Sequence, residues 1–107
     1  MPTKKKIDWT HTAKIEFNEE IIYWIDEKEN YAYAERIINE TEKALSFIAE
    51  NPYSCTPTDY ENIRKVFVLN RYTIFFKINQ EDIRILYFFN KDDNPKKIKL
   101  YQFNKSN

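Results

Sequence analysis

A chain of 107 residues without a single glycine has given up the backbone shapes on which many small domains build their sites. A chain this long would ordinarily contain roughly seven. Glycine reaches left-handed conformations at no steric cost and lets a backbone approach a ligand closely. Its absence excludes the phosphate-cradling P-loop, the GxGxxG dinucleotide turn, the GxSxG nucleophile elbow and the GXXG clamp of KH domains. Rossmann and kinase chemistry go with them. Tight turns fall instead to asparagine, which tolerates positive φ better than most residues.

The length suits a single domain with one modest core, taken as residues 1–107 with the core at about 7–98 and a polar, basic tail at 99–107. Seventeen basic side chains balance seventeen acidic ones, so no overall field marks the chain as a nucleic-acid or membrane binder. The balance hides an asymmetry: residues 1–62 carry a net −6 and residues 63–107 a net +6. Cys55 is the only cysteine, which excludes an internal disulfide and a cysteine-rich zinc site, and no metal or cofactor is expected. No apolar run approaches the roughly 18 residues of a membrane span, and the basic start is not followed by a signal-peptide core, so a soluble, cytoplasmic protein is expected.

Hydrophobic spacing divides the chain in two. Ile7 and Trp9 alternate with polar residues as in a short strand, and Thr10 or Thr12 offers a helix cap. Ala13, Phe17, Ile21, Trp24 and Ile25 then recur at helical spacing, and after Asn30 a second helical period runs through Ala34, Ile37, Ile38, Leu45 and Ile48 to Asn51-Pro52. The short connection predicts an antiparallel hairpin. Asn51 to Asn62 has the composition of a loop. Beyond it the period becomes two, predicting strands at Ile63–Leu69, Tyr72–Asn79 and Ile83–Phe89 with turns at Asn70-Arg71 and Asn79-Gln80-Glu81. Ile83–Phe89 is apolar on both faces except at Arg84, as a central, doubly covered strand would be. Residues 90–107 leave strand, helix and disorder open. The expected fold is α+β, with an N-terminal strand and an antiparallel helical hairpin packed on one face of a small, largely antiparallel four-stranded sheet whose other face stays available.

Few residues point to chemistry. His11 and Cys55 are the only histidine and thiol, but nothing in their spacing brings them together. The acidic pairs Glu19/Glu20, Asp26/Glu27 and Asp92/Asp93 are adjacent, and neighbouring residues on a helix do not share a face. The basic half is more informative. Of Arg64, Lys65, Arg71, Arg84 and Lys91, with Lys96, Lys97 and Lys99 beyond, several are expected to converge on the exposed sheet face and its edge if the strands pair in sequence. Tyr72, Tyr87, Phe88 and Phe89 would lie near them. Cations interleaved with aromatics suit phosphate contact and base stacking, and an acidic peptide fits equally well.

These segments together resemble a known family. Trp9-Thr10 with Ala13 opening an acidic helix, the hairpin ending at Asn51-Pro52, Ile63-Arg64-Lys65-Val66-Phe67-Val68-Leu69, Arg71 to Ile78, and Ile83-Arg84-Ile85-Leu86 followed by Asn94-Pro95 resemble the RelE/ParE toxins of bacterial type II toxin-antitoxin systems. The resemblance covers Ile7 to Ile98 and rests on order and pattern rather than on one motif. It implies a small cytoplasmic toxin of the kind associated with growth arrest and plasmid stabilisation, held inactive by a cognate antitoxin protein, as a hetero-oligomer with it or as a homodimer.

The RelE branch cuts messenger RNA at the ribosome with a cluster of cations and sometimes Tyr or His, while the ParE branch poisons DNA gyrase without acting as a nuclease. Compared with the nuclease pattern, Arg64 falls on the first cationic strand position, and Val66 stands where a second cation is expected. Tyr72-Thr73 stands where Tyr-Arg is common, Phe88 where a His is often found, and Lys91 matches the cation that follows. Arg64, Arg71, Tyr87 and Lys91 are the catalytic candidates if the chain is a metal-independent mRNA endonuclease. Arg64, Lys65, Arg71, Arg84 and Lys91 form the target-binding surface if it is not. Losing one preorganised donor costs on the order of a hundredfold in rate, so the two gaps favour the ParE-like mode. The nuclease remains the alternative, and a degenerate, non-toxic binding module a further one.

Overall fold

The computed structural model of the chain describes residues 4–103. Strand β1 (Lys6–Trp9) leads into α1 (His11–Ile22), which widens into a π-helical turn at Tyr23–Glu27. Helix α2 (Tyr31–Glu50) folds back, bringing Tyr33 to 4.4 Å from Trp24 between ring centroids. Then come β2 (Thr56–Pro57), β3 (Ile63–Val68), β4 (Tyr72–Ile78) and β5 (Asp82–Asn90), followed by short 3-10 turns at Pro95–Lys97 and Leu100–Phe103.

Of the two residues offered as a cap for the first helix, Thr10 serves. The Thr10 hydroxyl accepts from the Ala13 N–H at 3.2 Å and also donates to the Ile85 carbonyl at 2.7 Å, so one side chain starts α1 and ties it to the sheet. Asn30 caps α2 by accepting from the Tyr33 N–H at 3.0 Å. Pro52 follows the end of α2, where its ring cannot continue a helix.

The sheet has five strands in the order β1-β5-β4-β3-β2. β1 runs parallel to β5, with Ile7 opposite Ile83 and Trp9 opposite Ile85, and the other neighbours are antiparallel. The expected count of four is therefore one short: β2 lies within the stretch assigned to loop and is only two residues long, ending at Pro57. A segment that brief has no period for a sequence to reveal. The turn after β3 also moves by one residue. Leu69 and Asn70 both take positive φ, 56° and 55°, as a type I′ hairpin turn demands.

One face of the sheet carries the main core. Tyr72, Ile74, Phe76 and Ile78 of β4 and Ile83, Ile85 and Phe88 of β5 pack with Ala13, Ile37 and Ile48 of the helices. Burying each such Ile or Phe contributes about 1.5–3 kcal/mol. The second face is not left open as expected. A register shift between Phe75 and Phe76 lets β5 carry an extra residue, so Leu86 and Tyr87 both turn to that face and join Ile63. Ile98, Leu100 and Phe103 fold back over them, the Lys99 N–H donates to the Tyr87 hydroxyl at 3.3 Å, and Lys77 Nζ donates to the Phe103 carbonyl at 2.7 Å. Residues 98–103 are thus a cover for the second face. The remainder of the tail, from residue 104, lies outside the described residues.

Candidate functional site

Side-chain alternation decides where each cation goes. On β3, Val66 and Val68 join the helix-side core, so Arg64 shares their face and Lys65 and Phe67 take the other. Arg64 turns to the loop after α2, donating to the carbonyls of Tyr53 at 3.0 Å and Cys55 at 2.8 Å, with its guanidinium 5.4 Å from the Tyr53 ring. Lys65 lies 6.0 Å from the Phe67 ring on the second face. Arg84 stands on that face at the far end of β5, 3.7 Å from Asp8 in an exposed ion pair.

Arg71 and Lys91 do come together. The Lys91 N–H donates to the Arg71 carbonyl at 2.9 Å, and both residues line a cleft of about 360 Å³ with Phe67, Asn70, Tyr72 and Thr73. The Arg71 guanidinium sits 5.4 Å from the Trp24 ring and 5.8 Å from the Tyr33 ring. Stacking of this kind fixes a cation without neutralising it. Among the described residues its ion-pair partner is the exposed Asp92, at 3.9 Å.

A polar chain holds the aromatic support. Trp24 Nε1 donates to the Tyr72 hydroxyl at 3.1 Å, Tyr72 donates to Glu20 Oε1 at 2.8 Å, and Asn90 Nδ2 reaches the same carboxylate at 3.4 Å. Burial first, and the bond to Glu20 second, push the Tyr72 hydroxyl well above its usual range, so it stays protonated. Tyr72 and Phe88 stack in the core at 4.9 Å and do not reach the second face.

Tyr87 lies apart from this cleft. It is 7 % exposed, wedged edge-on between Phe75 and Phe103 with its hydroxyl bonded to the Lys99 N–H. Arg64 pairs with Phe76, four positions along β4 from Tyr72, roughly 13 Å at strand rise. The catalytic candidates thus divide: Arg71 and Lys91 share the cleft, Arg64 lies toward the other end of the sheet against the loop after α2, and Tyr87 is under the tail. Sequence reasoning missed Phe67 and Thr73 as cleft residues, and Trp24 and Tyr33 as the support for Arg71. Period two over Lys65, Phe67 and Thr73 carried the first signal; no local pattern carried the second, which depends on the helical hairpin meeting the β3–β4 turn. Among the described residues, no group of three or more His, Cys, Asp or Glu side chains is placed to hold a metal ion.

Residues 7–95 match the family described as the ParE toxin of type II toxin-antitoxin system, parDE. The chain belongs to the ParE toxin family. A solved structure titled "Chromosomal ParDE TA system from P. aeruginosa" superposes on it with a TM-score of 0.68 at 11 % identity, covering 82 % of this chain and 97 % of that one. At that identity the likeness speaks for the ParE fold. No curated protein matches the sequence. The family match ends at Pro95, so the segment that covers the second face of this ParE chain lies beyond it.

Proposed function

We propose that this ParE-family chain is a growth-arresting toxin that acts by binding DNA gyrase rather than by cutting RNA, and that a cognate antitoxin protein neutralises it. The observation that carries the reading is the dispersal of the candidate catalytic groups. Metal-independent RNA cleavage needs preorganised donors and a proton-transfer group around one phosphate. Here only Arg71 and Lys91 share a cleft, Thr73 supplies no cation, and Tyr87 is sealed under Phe103. Two cations beside an exposed Phe67 support binding to a macromolecular surface.

Pulse incorporation of labelled thymidine and labelled methionine, measured minutes after induction in a bacterial host, tests this. An early fall in thymidine incorporation with protein synthesis intact is expected. An early collapse of methionine incorporation would instead establish the ribosome-dependent endonuclease, and no change in either pulse would leave a degenerate binding module.

A further inference from the structure

The helical hairpin departs from regular geometry at one place, and that place bears on the cleft. Tyr23–Glu27 forms a π-helical turn, closed by the Lys28 N–H donating to the Tyr23 carbonyl at 3.2 Å, and the Trp24 carbonyl accepts from the Asn30 N–H at 2.8 Å. Just beyond it Glu29 holds a φ of 50°, a left-handed conformation that a residue with a Cβ adopts only at a cost. π-helical turns and residues held at positive φ concentrate where function needs a side chain placed. The side chain placed here is Trp24. Its ring stands 4.4 Å from that of Tyr33 on α2, and the Arg71 guanidinium lies over both rings, at 5.4 Å and 5.8 Å.

Core packing does not account for the arrangement. An apolar residue in place of Tyr72 would fill much the same space and need no partner, yet Tyr72 accepts from Trp24 Nε1 and donates to Glu20, which also takes the Asn90 amide. The indole is therefore held by a hydrogen bond as well as by contact, and its ring plane has a set direction. The ring faces attract the Arg71 charge and consume none of its N–H donors. A freely rotating arginine loses side-chain entropy on meeting a partner, whereas one already held has lost it beforehand.

The geometry points to Trp24 and Tyr33 as positioning residues for Arg71, with the Glu20–Tyr72 pair and the π-helical turn fixing the Trp24 ring, so that the cleft offers a carboxylate of the bound protein a preset guanidinium rather than a mobile charge. That the bound protein is the toxin's target rests on the function proposed above; the ordering of Arg71 does not.

Nuclear magnetic relaxation of the Arg71 Nε–H group in isotope-labelled protein measures that ordering directly. Trp24→Leu should make the group as mobile as that of exposed Arg36. Trp24→Phe, which keeps a ring beneath the cation, should retain most of the order, and Tyr72→Phe, which releases the indole, should fall between the two. Ile48→Val removes a methylene from the same core roughly 22 Å along α2 from Tyr33, so it destabilises without touching the support and should leave the signal unchanged. The dispersion of backbone amide signals confirms that each variant is folded. Growth inhibition at equal expression should be lost in Trp24→Leu to the same extent as in Arg71→Ala, with no further loss in the double variant, because both changes remove one interaction. An Arg71 signal as ordered in Trp24→Leu as in the parent, one mobile in the parent already, one mobilised equally by Ile48→Val, or additive losses of growth inhibition would overturn the inference. In a chain inert in the pulse experiment the relaxation measurement decides alone, so failure of the toxin reading and failure of this one are separable.

Discussion

Arg64 and Arg71 have the same side chain and opposite duties. Arg64 spends two donors on the carbonyls of Tyr53 and Cys55 and so holds the end of α2 against β3. Arg64→Ala strands those acceptors and is expected to cost about 1–2 kcal/mol, read as a lower denaturation midpoint. Arg71 is stacked rather than spent, so Arg71→Ala combined with Lys91→Ala should leave the midpoint close to that of the parent and lessen growth inhibition at equal expression. Alternation alone did not separate these roles, since Arg64 and Lys65 are consecutive and parity becomes fixed only once Val66 and Val68 enter the core. Glu16 poses a different balance. Desolvation lifts its carboxyl above the usual 4.5, partly opposed by the Phe88 N–H that it accepts at 2.9 Å. A carboxyl with a raised folded pKa binds its proton more tightly when folded, so its contribution to stability declines as pH rises from 4.5 through the folded value. Glu16→Gln keeps an oxygen for Phe88, and chemical denaturation across that pH range should show the decline removed.

Elements reveal what single residues do not. The β-bulge in β5 cannot be seen in Ile83–Phe89, because a strand apolar on both faces has no alternation to interrupt. Its result is an apolar second face, and that face explains why residues 98–103 are ordered although their composition left strand, helix and disorder open. These residues lie on the sheet without adding a strand to it, so side-chain packing sets their stability. Phe103→Ala should therefore release the cover, costing about 1–3 kcal/mol and raising the binding of an apolar dye at the uncovered Tyr87 and Leu86. The β3–β4 turn tests how a glycine-free chain bends. With φ of 55°, Asn70 already tolerates the left-handed region, so Asn70→Gly should change stability by less than about 1 kcal/mol, whereas Asn70→Val should cost about 1–2 kcal/mol. Both values come from thermal unfolding. The second helix, by contrast, was legible at both ends, since the break at Asn30, the Pro52 stop and the helical period all agree, while the π-helical turn at Tyr23–Glu27 keeps Trp24 and Ile25 within the first helical period and left no mark in the sequence.

At the scale of the molecule the charge asymmetry becomes spatial, with the acidic half of the sequence supplying the helical hairpin and the basic half β3, β4, β5 and the cover. Composition foretold that division, but not that cations within the basic half would separate onto two faces. The long-range closure was also hidden: β1 is parallel to β5, and Thr10 reaches carbonyls 75 and 76 positions away. Removing residues up to Trp9 is therefore expected to abolish cooperative unfolding, not merely to trim an edge, because Ile83 and Ile85 lose their outer neighbours; a calorimetric scan without a heat-absorption peak would record it. The same pairing places this protein's birth under a time constraint. While the ribosome is still making β3 and β4, the hairpin has apolar residues and no partner strand for β1, and the entropy of closing so long a loop must be met before any native contact repays it. A polypeptide abandoned before β5 thus carries neither a finished sheet nor the Lys91 wall of the cleft, and interrupted translation produces debris for proteases rather than a weaker version of the whole.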